Sequence, residues 1–430
     1  MGAAVALGAL AVWLFAGLLL GLLEWPYQLL SELGFALQQR LWLEVPGSHG
    51  LGAAQVFAAA LALTWLAWGP LAGGRGGGIT PSLALQQNAD APALLERLDL
   101  ITQLRRLPLM LLTHLGGLTV GVESPSAALG SAFLLALRRR WPRFRPWAAL
   151  PLPLVAAIGG GAGLGAAFRS PLLGVAYAIE ELSREKGLSL VLPTLLLAGS
   201  GALVNTQLGQ PARLTGLDLG PLSVELWGWA LLITLLGAVL GSLFVRLLIP
   251  TAAWLARQLR RRRLPAALAV AALLALLALL SGGLSLNDGS LSLAAALQGQ
   301  QGGTLATLLW RFLASLLSIA AGAPGGVMHD TMTLGALLAS PLQALPEGAR
   351  AQLAAVGATA LFAAANRTPI FCALFVFTLQ ADPQLLPQLL LVSAVSGGLA
   401  ERWRGSTWNE AQLESMALAP GVVPGLAASR

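Results

Sequence analysis

Ten apolar stretches run through this chain, at about 1–23, 51–72, 107–121, 147–179, 187–204, 225–256, 265–281, 304–323, 352–379 and 384–400. Over the whole chain 56% of the residues are hydrophobic and only 10% are charged, against roughly 25% charged in soluble domains. The chain lacks the polar surface to coat a water-soluble fold. The sequence therefore predicts an all-α, polytopic membrane protein, because a helix satisfies its own backbone polar groups where no water can. Several stretches reach the roughly 20 residues that a bilayer requires. Others are too short or too rich in glycine to cross as one straight helix, and such Gly- and Pro-broken pieces are typical of half-helices that end inside the membrane. The polar interruptions, chiefly 86–106, 183–186 and 401–415, are too small to fold alone. Residues 1–415 read as one transmembrane domain and 416–430 as a tail. The N-terminal run from Ala3 to Leu23 has no basic leader, so it reads as a first membrane helix rather than a removed signal.

The charge balance, 26 Lys and Arg against 19 Asp and Glu, is +7. The excess is bunched in two short loops, one with Arg138, Arg139, Arg140, Arg143 and Arg145, the other with Arg257, Arg260, Arg261, Arg262 and Arg263. Basic loops between apolar stretches mark the cytoplasmic side of a membrane; they are not the basic face of a nucleic-acid binder, and no nucleic-acid partner is expected. An inner or plasma membrane is the expected location. The single cysteine, Cys372, excludes a disulfide framework and a thiolate metal site. His49, His114 and His329 show no metal-ligand spacing, and no cofactor is expected.

An internal repeat is visible. Ala166-Ala167-Phe168-Arg169-Ser170-Pro171-Leu172 matches Ala364-Ala365-Asn366-Arg367-Thr368-Pro369-Ile370 at an offset of 367 − 169 = 198, and Gly159 with Gly357 and Tyr177 with Phe375 keep it. The chain reads as duplicated, with approximate halves 25–210 and 220–415. Arg169 and Arg367 read as cytoplasmic anchors or capping groups.

Three segments place glycine and polar atoms among apolar surroundings: Gly76-Gly77-Gly78-Ile79-Thr80-Pro81, Gly121-Val122-Glu123-Ser124-Pro125-Ser126 and Ala323-Pro324-Gly325-Gly326-Val327-Met328-His329-Asp330. Each precedes a helix-forming run, so each reads as a loop ending at a helix N-terminus. The first N–H groups there are unpaired and carry about half a positive charge, and glycine lets an ion approach them. Convergence of several such ends would make an anion site without a full charge. Moving a bare ion into low dielectric costs on the order of 20 kcal/mol in the Born limit, yet a buried lysine would hold an anion too firmly for quick release.

Taken in order, G-G-G-I-T, G-V-E-S-P, G-L-G-A-A-F-R-S-P-L-L-G-V-A-Y-A-I-E-E and A-P-G-G-V-M resemble the motifs of the CLC chloride channel and proton-coupled anion transporter family, over about residues 50–415. The resemblance implies two inverted halves with roughly 18 tilted or broken helices, assembled as a homodimer with one anion pathway per subunit. It implies an anion site at Gly77, Gly78, Glu123, Val327, Met328 and Trp408. It makes Glu123 the gating and proton-carrying carboxylate and Glu181 the internal proton-transfer group. The cytoplasmic CBS pair of some relatives is not expected.

On the residues alone, Glu123 is either a carboxylate competing with anions for helix N–H groups or one that merely stabilises its own helix. Glu180 and Glu181 point about 100° apart on a helix; Glu180 has Arg184 at i+4 and reads as a surface pair, and both could be plain helix-end charges. The motifs also depart from the family. Gly77 stands where a serine hydroxyl would ligate the anion, Thr80 replaces a proline, Val122 a basic residue, Ser124 a glycine, Met328 a phenylalanine, and Trp408 falls near a pore tyrosine. Asp330 replaces a proline and is read as a cap of the following helix. The expected function is transport of small inorganic anions, chloride by default, coupled to protons, with an uncoupled channel on the same fold as the alternative and fluoride, bromide or nitrate open as substrates. The protein is not expected to be an enzyme. A remote alternative is an intramembrane serine hydrolase using Gly199-Ser200-Gly201 with His114 or His329 as base.

Overall fold

The computed structural model describes residues 3–87, 92–210, 218–403 and 405–417. In the first half of the chain these form α1 (Ala3–Gln39), α2 (His49–Ala67), α3 (Thr80–Leu85), α4 (Pro92–Arg97), α5 (Leu100–Leu104), α6 (Leu107–Leu115), α7 (Glu123–Arg140), α8 (Arg145–Ala148), α9 (Leu152–Ala167), α10 (Pro171–Tyr177) and α11 (Leu188–Gln207). The second half forms α12 (Trp227–Arg261), α13 (Arg263–Leu280), α14 (Ser290–Leu297), α15 (Leu305–Ala321), α16 (Met328–Ala336), α17 (Glu347–Asn366), α18 (Pro369–Gln380), α19 (Leu386–Arg402) and α20 (Trp408–Ala417). The described residues contain no β-strand. The tail expected at 416–430 lies outside them from residue 418 onward.

Five helical runs are long and apolar enough to cross a membrane: Leu7–Glu44, His49–Ala67, Leu188–Gln207, Val224–Arg261 and Arg263–Leu280. On α12 the leucines 231, 235, 243 and 247 are exposed while Ile233, Gly237, Gly241 and Phe244 are buried. A leucine stripe of that length suits lipid, not water. By contrast α16, with 9 residues, is about 14 Å long and cannot cross; its ends lie inside the protein.

The repeat extends well beyond the matching motif. Helices α4 and α14 begin at 92 and 290, α6 and α15 at 107 and 305, α10 and α18 at 171 and 369, and α11 and α19 at 188 and 386, every pair offset by 369 − 171 = 198. The Arg-Ser/Thr-Pro punctuation has one cause in both copies. Arg169 (φ 52°) and Arg367 (φ 58°) take the left-handed conformation that stops a helix, and the proline two residues later opens the next one, where its missing N–H is no loss. The copies are inverted. The Ser170 hydroxyl, before α10, lies 3.2 Å from that of Thr378 near the end of α18, while Glu180, past the other end of α10, reaches Phe371 at the start of α18.

Inversion puts Arg169 and Arg367 on opposite membrane faces, so of the two readings given for them, cytoplasmic anchors or capping groups, the first cannot hold for both. Arg367 lines a cavity with Glu180 and Glu181. Arg169 donates to Gln210 at 3.2 Å, beyond the far end of α11, whose 20 residues span about 30 Å.

The glycines that mark the repeat make the two tightest crossings. A Cβ on Gly130 of α7 would collide with the carbonyl of Gly159 in α9 and lie 2.9 Å from Gly163 Cα; Gly335 of α16 and Gly357 of α17 meet in the same way. Small residues permit such backbone-to-backbone approach between membrane helices. Gly159→Val is expected to destabilise the protein by about 3 kcal/mol, through overpacking that no flexible side chain can relieve. Gly8→Val, where nothing lies within 4 Å, is the control. Denaturation in detergent checks both, and equal stability of the two variants would refute the crossing as a constraint.

Candidate anion site

The three glycine segments converge. Gly121 and Gly326 pair across an isolated antiparallel bridge, Gly326 N–H donating to Gly121 O at 3.0 Å. Gly76 N–H donates to Gly322 O at 3.2 Å, just before the third segment. A Cβ on Gly77 would stand 2.5 Å from Ser124 Cβ and 3.0 Å from Gly325 O, and one on Gly326 would stand 2.8 Å from Ser124 Oγ. The glycines are there because three backbones share one small volume. The starts of α3, α7 and α16 are thereby brought together, and Val122, Glu123, Val327 and Met328 are all buried.

Glu123 opens α7, but its carboxylate crosses to α16. Oε1 accepts from the backbone N–H of His329 at 3.2 Å and also meets His329 Nδ1. The N-cap residue of α16, Val327, supplies no side-chain cap. Glu123 is that cap, delivered from another helix, so the carboxylate holds a position an external anion could occupy. The His329 ring lies between Phe168, stacked at 5.5 Å, and the edge of Phe375 at 5.3 Å.

Asp330 is not the cap. It is the third residue of α16, and its side chain turns away to a fully buried ion pair with Arg311 of α15. Arg311 also donates to the carbonyls of Leu286 at 2.9 Å and Asn287 at 2.8 Å. A carboxylate here would repel an anion, and its charge is largely cancelled by Arg311, a residue that no sequence motif marks. A second fully buried arginine, Arg106, meets Gln103 and donates to Gly74 O at 3.2 Å; its guanidinium fills the space beside Gly78.

Trp408 opens α20 and packs against the apolar cluster containing Phe244 and Val327. One turn on, Gln412 accepts from Thr80 Oγ1 at 2.8 Å and ties α20 to the start of α3. Glu181 accepts from Asn409 Nδ2 at 2.6 Å and lines, with Glu180, Arg184, Arg367 and Glu410, a cavity of about 330 Å³. Glu180 is not paired with Arg184 on the surface. Its two oxygens accept from Ile370 N at 3.1 Å and Phe371 N at 2.7 Å, capping α18. Tyr177, one helical turn before Glu181, lies within electrostatic reach of both Glu123 and Glu181, and its buried hydroxyl has no hydrogen-bond partner among the described residues. Ser200 donates to the Leu196 carbonyl at 2.7 Å and packs at the α1 crossing beside Gly17.

Inverted halves of broken membrane helices, with short helix ends gathered round a buried carboxylate, define a membrane protein built to handle anions. Residues 57–401 match the family described as voltage gated chloride channel, and the chain belongs to that CLC family. Among solved structures it is similar to a slow cyanobacterial Cl⁻/H⁺ antiporter, with 20% identity and a TM-score of 0.75 over 95% of this chain and 97% of that one. It is similar also to a CLC-type fluoride/proton antiporter, at 22% identity and TM-score 0.69 over 94% and 98%, and to a eukaryotic CLC transporter, at 20% and 0.73 over 96% and 75%. At these identities the likenesses establish the fold. No curated protein sequence matches the chain.

Proposed function

We propose that the protein exchanges a small inorganic anion for protons across the membrane, with chloride the default substrate and fluoride the first competitor to test. The observation that carries this reading is the Glu123 carboxylate capping the first turn of α16 from another helix. A carboxylate there competes with a free anion for the same N–H groups; protonation ends the competition, so one group links proton and anion movement. Glu181, in the cavity on the Arg367 side, takes the role of proton entry, with the Tyr177 hydroxyl on the way to Glu123. The two similar antiporters, one for chloride and one for fluoride, support coupling and leave the anion to be decided by measurement. The protein acts as a homodimer in the plasma or inner membrane, arginine-rich loops to the cytoplasm, and as a transporter it is not an enzyme.

The test is purified protein in vesicles carrying a gradient of chloride, bromide, nitrate or fluoride, with lumenal pH recorded. Proton movement opposite to the anion is the expected result; anion flux without it would turn the assignment to an uncoupled channel. Asn409→Ala removes the hydrogen bond that orients Glu181 and is expected to slow proton movement about tenfold. Anion affinity should stay unchanged, and a fall in affinity would place Asn409 in the anion site instead.

A further inference from the structure

The glycine segments bring backbone to the site but few side-chain ligands: Gly77 offers none, and Trp408 packs into an apolar cluster. The exception is His329. Its ring Nδ1 meets the same Glu123 oxygen that accepts its backbone N–H, the two aromatic rings fix its plane, and it is 2% exposed. The titratable and charged groups around it are few. From α7 comes Glu123; on α16 itself is Asp330, matched by Arg311 of α15. Before α14 lies Asp288, whose carbonyl Thr333 Oγ1 approaches at 3.5 Å, and on α10 is Tyr177. The part of α17 that packs here, 353–365, contains no titratable residue.

We propose that His329 is an anion-binding side chain. When Glu123 takes a proton and leaves the first turn of α16, a small inorganic anion replaces it and accepts from both the backbone N–H and the ring Nδ1–H of His329. This rests on the anion-transport reading. One proton from water neutralises the Glu123 carboxylate and a second converts the His329 ring to imidazolium, which the incoming monovalent anion balances. On the return the anion leaves, the ring gives its proton back to the side that supplied it, Glu123 passes its proton to the side opposite to the anion's exit, and the carboxylate retakes the seat. Hydrogen bonds from a charged donor are the stronger ones. The seat thus has a full positive charge while it loads an anion and only dipoles when it lets go.

Calorimetry on purified Glu123→Gln protein, which removes the competing carboxylate, tests this with chloride and then fluoride as the titrated anion. Binding should be at least about fivefold tighter at pH 5.5 than at pH 8.0. His329→Asn in that background keeps a side-chain N–H but takes no proton, and should bind with no pH dependence; His329→Ala should bind more weakly at both pH values. A second measurement leaves His329 intact: binding heats in buffers of different ionisation enthalpy should show proton uptake with the anion at neutral pH. A pH dependence that survives His329→Asn, or binding without proton uptake, overturns the proposal. Unmutated protein that moves anions in vesicles while showing either result refutes the role of His329 alone; protein that moves and binds no anion refutes the transport reading as well.

Discussion

Glu123→Gln is expected to abolish proton movement in vesicles, to the level of empty liposomes, while anion flux continues. Glutamine has the shape of the protonated acid and no charge, so it holds the N–H groups of α16 too weakly to exclude an anion and has no proton to deliver. The effect is all or none because, among the described residues, Glu123 is the one carboxylate that accepts from a first-turn N–H of α16, Asp330 being turned away to Arg311. If Glu123 only stabilised α7, the same change would cost about 0.3–1 kcal/mol of stability and leave the proton-to-anion ratio intact. Simultaneous recording of pH and anion flux separates the two.

Arg311→Met is the substitution with the largest expected effect on stability, a loss of about 3–5 kcal/mol, because it strands Asp330 without a counter-charge in a fully buried position. The double variant Arg311→Met/Asp330→Leu should recover a large part of that loss, since exchanging both members of a buried pair for apolar groups is often close to neutral. The carbonyls of Leu286 and Asn287 lose a donor in both variants, so recovery is not complete. Unfolding midpoints in detergent provide the measurement. Equal destabilisation of the single and double variants would show that Arg311 matters for those carbonyls and not for Asp330.

What could be read from the sequence was what local backbone chemistry demands. The repeat showed through Arg-Ser/Thr-Pro because a left-handed stop and a proline start admit few residues, and the three helix ends showed through their glycines. The inversion followed from the family resemblance, since the matching residues alone carry no direction. The partners of the site were hidden for a different reason. Glu123 and His329 are 206 residues apart, Asn409 and Glu181 228, and Thr80 and Gln412 332, and no spacing rule spans such distances. Asp330 was misread as a cap because an acidic residue near a helix start usually serves that end; a buried arginine 19 residues earlier outweighed it. Glu180 went the same way, its i+4 arginine being a weaker partner than two orphan N–H groups of α18.

The glycine crossings also bear on how such a molecule can move. Where α7 lies backbone on backbone against α9, and α16 against α17, no cushion of side chains lets one rod slide past the other. The helix ends forming the anion seat are thus clamped into a stiff frame. Large rocking of whole halves is a poor way to open such a frame, and rotation about the χ angles of one acidic side chain is a far cheaper one.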